Sequence, residues 1–121
     1  MIPVHLNKLK EKIVWTNHSK EKMRYYRLSD KRVLAVLRRP GRKEEGIAPG
    51  TVAAMQPTGT KKHPTELWMM HQTITRKFRG QRQKKIKIIS AWRYPGITPV
   101  GVRPLIPEDT MEHLDDIIKE E

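Results

Sequence analysis

Residues 16–42, TNHSKEKMRYYRLSDKRVLAVLRRPGR, hold the two clearest elements of the chain together with nine Lys and Arg. Thr16 and Asn17 both carry a side-chain oxygen that can accept a free backbone N–H, so a first helix is expected from about His18 to Arg27. Ser29-Asp30 opens a second helix, in which Val33, Leu34, Val36 and Leu37 form one buried stripe. Pro40-Gly41 ends it, because proline cannot continue a helical hydrogen-bond ladder. The basic residues between these stripes are either a solvated surface or a place that holds phosphate.

Upstream, Ile13-Val14-Trp15 is a short β-type run. Downstream, TVAAMQ (51–56) and ELWMMHQ (66–72) read as strands, bounded by the turn-forming APG and PTGTKKHP segments. After the basic TRKFRGQRQKK comes IKIISAW (86–92), apolar on both faces and therefore expected at the centre of the sheet. Strict alternation puts Ile86, Ile88, Ser90 and Trp92 on one face, with Lys87, Ile89, Ala91 and Arg93 on the other. RYPGITPVGVRP is expected to be irregular. Pro107-Glu108-Asp109 then starts a last helix through Met111, Leu114, Ile117 and Ile118, with acidic residues placed to suit its N-terminal dipole. The expected architecture is α+β: two N-terminal helices on one face of a small antiparallel sheet, followed by a C-terminal helix. Residues 1–106 are expected to form the basic domain and 107–121 an acidic helix attached to it.

At 121 residues, one core is the natural expectation. The formal net charge is +12, unevenly spread: residues 1–106 hold 24 basic and 6 acidic side chains (+18), and residues 107–121 hold 1 and 7 (−6). A body this basic attracts polyanions through counterion release, and nucleic acid is the commonest such partner. With no cysteine, disulfides and thiolate metal sites are both excluded. The five histidines, at 5, 18, 63, 71 and 113, lack helical ligand spacing, so neither a metal nor a cofactor is expected. MIPVHLNKLKEK has no apolar leader region, and no stretch approaches the roughly 20 apolar residues of a membrane span; a cytoplasmic protein away from membranes is expected.

The run WTNHSKEKMRYYRLSDKRVLAVLRRPGR, followed by IKIISAWRYPG, resembles the strand, histidine-led helix and R-x-L-S-x-x-x-V pattern of the small BrnT-like domains of the RelE/ParE toxin superfamily, some of whose members are classed only as a domain of unknown function. The similarity covers about residues 13–95 and is strongest from His18 to Arg42. In this chain Ser19 stands where the family has a small alanine, the middle loops are long, and the acidic C-terminal helix has no counterpart. The resemblance implies a ribonuclease toxin or an inactive relative, RNA as the partner (free or in the ribosome), and neutralisation by an antitoxin protein.

Three groups of residues carry the candidate chemistry. On helix 1, His18, Lys22 and Tyr25 fall on one stripe at i, i+4 and i+7, and Ser19, Met23 and Tyr26 form the neighbouring, more core-like stripe. RNA cleavage without metal needs a base for the 2′-hydroxyl, a cation for the developing phosphorane charge and an acid for the leaving oxygen. His18, Lys22 and Arg93, the last where strand becomes loop, are the candidate catalytic set. The segment Arg76 to Lys87 holds seven cations, Arg76, Lys77, Arg79, Arg82, Lys84, Lys85 and Lys87, with no acid, and is expected to contact RNA phosphates. Trp92 is a candidate platform for stacking a base, and His71 is expected near Arg93 and Tyr94 if their strands pair. A non-catalytic RNA- or ribosome-associated module is the alternative to the ribonuclease.

Overall fold

In the computed structural model, which describes residues 10–120, β1 (Lys10–Trp15) runs into α1 (Asn17–Tyr26) through one buried threonine. Thr16 Oγ1 accepts the Ser19 N–H at 3.1 Å as the helix cap and donates to the Ile88 carbonyl at 2.8 Å, tying strand and helix to the sheet. Arg27, left-handed at φ 56°, closes α1. The Ser29 side chain then caps α2 (Asp30–Arg38) by accepting from the Arg32 N–H.

Five strands follow from this start: β1, β2 (Arg42–Glu45), β3 (Thr51–Gly59), β4 (Pro64–Phe78) and β5 (Gln81–Pro95). Their order is β1-β5-β4-β3-β2, antiparallel throughout except that β1 runs parallel to β5. The α+β expectation holds, but the sheet is mixed and larger than a small antiparallel meander. β2 was hidden in a charged RKEE run whose half-buried Arg42 and Glu44 alternate with exposed Lys43 and Glu45. β4 and β5 extend far past the apolar runs ELWMMHQ and IKIISAW, because the basic segment between them pairs as an antiparallel ribbon, Lys77 opposite Arg82 and Arg76 opposite Gln83.

Helices cover both faces of the sheet, a second departure from the expectation. On the first face, Met23 and Leu28 with Val33 and Val36 of α2 pack on Ala54, Leu67, Met69, Ile86, Ile88 and Ala91. On the second, the chain from Ile106 through α3 (Glu108–Glu112) and α4 (Leu114–Lys119) packs on Ala53, Met55, Trp68, Met70, Ile89 and Trp92, with Ile117 fully inside. The expected single C-terminal helix breaks at His113. A register shift at Met70/His71, where Ile89 has no direct partner, breaks the alternation of β5. Ile86, Ile88 and Ala91 therefore share one face, while Ile89 and Trp92 share the other.

Candidate functional site

The second face is closed near its β2 edge by a buried ionic clasp. Glu66, 2% exposed, accepts from Trp68 Nε1 at 3.0 Å and from the Thr98 hydroxyl at 2.7 Å. Arg42 donates to the Thr98 carbonyl at 3.0 Å, pairs with Glu44 at 3.1 Å, and lies 5.0 Å from the Trp68 ring centre. A buried carboxylate with this many donors is fully occupied, so its role is to pin the loop after β5 across the sheet. Trp92 stacks on Trp68 at 6.2 Å with rings 7° from parallel and is 2% exposed. It has no free face for a base; the bulge at Ile89 sets it on the second face, opposite Trp68, and not on the face of Ile86 and Ile88 that strict alternation gives.

The three proposed catalytic residues are each engaged. His18 Nε2 lies 2.8 Å from Thr110 Oγ1, and Thr110 Oγ1 is 3.0 Å from Ser90 Oγ, a buried chain of polar groups linking α1, α3 and β5. Burial holds the His18 imidazole below its ordinary pKa, against the raising effect of Asp109. Lys22 is 9% exposed and donates to both Asp109 oxygens at 3.1 Å. Its ammonium also lies 5.1 and 5.4 Å from the ring centres of Tyr26 and Tyr25. Although burial alone raises a carboxyl, the Lys22 ammonium holds Asp109 below its usual range. Arg93 is exposed and donates from Nε to the Tyr26 carbonyl at 3.3 Å. His18 and Lys22 thus come together under α3, whereas Arg93 braces the end of α1.

His71 does not join Arg93. The strands pair, but His71 faces Ile88 and Leu67 faces Arg93, a separation of four residues or about 13 Å along β4. Burial with the nearby Lys43 and Lys84 pushes the His71 pKa down to about 4.

The basic ribbon separates into two kinds of cation. Lys87 turns inward: it is 4% exposed and donates to the Ile118 carbonyl, so it anchors α4. Arg76, Lys77, Arg79 and Arg82 are exposed at the ribbon end, and Lys84 and Lys85 are half-exposed at its base. A cleft of about 490 Å³ is lined by Glu11, Lys12, Arg76, Gln83, Lys84 and Lys85. A second, of about 310 Å³, is formed by Thr75, Arg76, Lys77 and Arg82. Glu11, the single acid in these linings, is bound by Arg38, whose guanidinium holds it below the usual carboxylate range. Lys12 escaped sequence reasoning because only the parallel β1–β5 register places it beside Lys85.

Among the described residues no helix is long and apolar enough to cross a membrane. Comparison with known protein families, curated proteins and solved structures finds no match to this chain.

Proposed function

We propose that this is an RNA-binding protein that grips the phosphate backbone with the β4–β5 ribbon. The observation that carries the reading is the pair of clefts in which Lys12, Arg76, Lys77, Arg82, Lys84 and Lys85 converge while the neighbouring acid is already engaged by Arg38. Like charges packed this closely repel one another unless a polyanion neutralises them. Binding of this kind is electrostatic and carries little sequence information. RNA, rather than another polyanion, is favoured by the similarity of His18–Arg42 to BrnT-like domains, and the order strand, two helices, sheet supports that similarity. The test is a titration of a labelled single-stranded RNA across a range of salt. Log affinity is expected to fall linearly with log salt, at about 0.7 per phosphate neutralised. Salt-independent binding, or none at low ionic strength, rejects the reading.

One observation favours a second reading, a metal-independent toxin-type endoribonuclease: burial holds the His18 imidazole below its ordinary pKa, and His18 stands one turn from Lys22 on α1. A neutral imidazole can take the 2′-hydroxyl proton as the 2′ oxygen attacks phosphorus, and a cation can balance the charge that develops. The bond to the 5′ oxygen then breaks as that oxygen takes up a proton, from the imidazolium just formed or from water, leaving a 2′,3′-cyclic phosphate and a 5′-hydroxyl. Incubation with RNA in EDTA decides between the readings. The cyclic product, lost in His18→Ala, supports the enzyme, and intact RNA supports a non-catalytic module.

A further inference from the structure

α3 is fastened to α1 through polar contacts, while α4 is fastened to the sheet through apolar packing and the Lys87 hydrogen bond to the Ile118 carbonyl. In α3, Glu108, Asp109, Met111 and Glu112 are exposed and Thr110 alone is buried. α4 drives Ile117 into the core, and half-buried Leu114 and Ile118 pack beside it. The helix break at His113 separates the two. Beneath α3 lie Lys22, His18 and Ser90, a buried ammonium, an imidazole and a hydroxyl.

What occupies Lys22 is a carboxylate presenting both oxygens to one ammonium, each at 3.1 Å. The geometry is that of an anion seated on a cation, and two oxygens of a phosphodiester can make the same pair of contacts. A second carboxylate from the same segment, Glu120, accepts the Asn17 N–H at the first turn of α1, where a helix favours negative charge. Two acids of the −6 tail thus fill two positions on α1 that attract anions.

We infer that Lys22 and His18 form a second phosphate-binding seat, distinct from the ribbon, which the chain itself fills with Asp109 and which an RNA phosphodiester takes when α3 lifts. The RNA here rests on the reading given under Proposed function; the seat rests on the Asp109–Lys22 and Thr110–His18 contacts. Tail and RNA compete for one cation, so the acidic segment sets the affinity of the body it is attached to.

The test uses the full chain and a labelled oligouridylate. Asp109→Asn keeps the size of the side chain and removes its charge. It is expected to bind about 3- to 10-fold more tightly at low salt, with a log–log salt slope steeper by about 0.7, one added phosphate. Lys22→Met is expected to abolish that gain in the Asp109→Asn background. A folded Asp109→Asn chain with the original affinity and slope overturns the inference. If the original chain fails to bind and Asp109→Asn binds, the ribbon reading falls and the seat stands; if neither binds, both fall. Should Asp109→Asn not fold, the unmodified chain decides by NMR. Movement of the His18 imidazole and Thr110 amide resonances at RNA saturation supports the seat, and their invariance rejects it.

Discussion

Thr16 shows how much one short side chain can hold in this fold. It caps α1, bonds the Ile88 carbonyl and is completely enclosed, so removing its hydroxyl leaves the buried Ser19 N–H without its cap and takes one donor from the Ile88 carbonyl. Thr16→Val keeps the shape and is expected to cost about 1–3 kcal/mol in denaturant unfolding, the usual range for a lost cap or an unpaired buried polar group. His71 makes stability depend on pH. Its folded pKa of about 4 lies below the ordinary value, so the unfolded chain binds a proton that the folded chain refuses. Its contribution is complete above about pH 6.5 and is lost as pH falls towards 4. Burial and the Lys43 and Lys84 charges set the size of the effect, about 2 kcal/mol after solvent screening. Urea unfolding from pH 7 to pH 4 is expected to show this loss and His71→Leu to flatten it. His18, also held low, adds a loss of the same sign in both chains.

At the scale of elements, the β4–β5 ribbon and the β3 strand obey different constraints. The ribbon tip has no core beneath it, so its side chains were free to be basic; charge there affects binding more than folding. Replacing Arg76 and Arg82 with Gln is expected to lower RNA affinity severalfold and the salt slope by about 1.4, two phosphates, with the melting temperature shifted by no more than a degree or two. β3 runs through Pro57 to Gly59, although a proline usually ends a strand. It can do so because β2 pairs only with Val52–Met55, leaving the Pro57 nitrogen on an open edge where no donor is needed. Neighbouring Gly41 also leaves room for it: a Cβ at that position lies 3.1 Å from Pro57 Cδ.

For the molecule as a whole, the acidic C-terminal segment is part of the core as well as a counter-charge. Ile117, Leu114 and Ile118 cover the face that carries Met55, Trp68, Met70, Ile89 and Trp92. A chain ending at residue 106 bares that surface, and burial of a single large apolar side chain is worth about 1.5–3 kcal/mol. Such a chain is expected to lose cooperative unfolding and to aggregate, as followed by circular dichroism and light scattering. A truncated chain that melts cooperatively near the full-length temperature would mean that the 1–106 body folds alone.

The sequence by itself determined the elements whose signals are local. Capping residues at Thr16 and Ser29, the stripe of Val33 and Val36, and the apolar runs of β4 and β5 are set by neighbours a few residues away, and they are where the sequence placed them. The sequence also fixed the uneven charge, which needs only counting. Tertiary structure alone decided the parallel pairing of β1 with β5, the bulge at Ile89 and the second helical layer, because each depends on partners dozens of residues distant. Those three features decide the fate of the candidate residues. The parallel edge brings Lys12 to the ribbon, the bulge sets Trp92 on the face of Trp68 under the tail, and the returning tail draws Lys87 inward and sets Asp109 on Lys22. A lysine's exposure is written in what folds over it, and that information lies elsewhere in the chain.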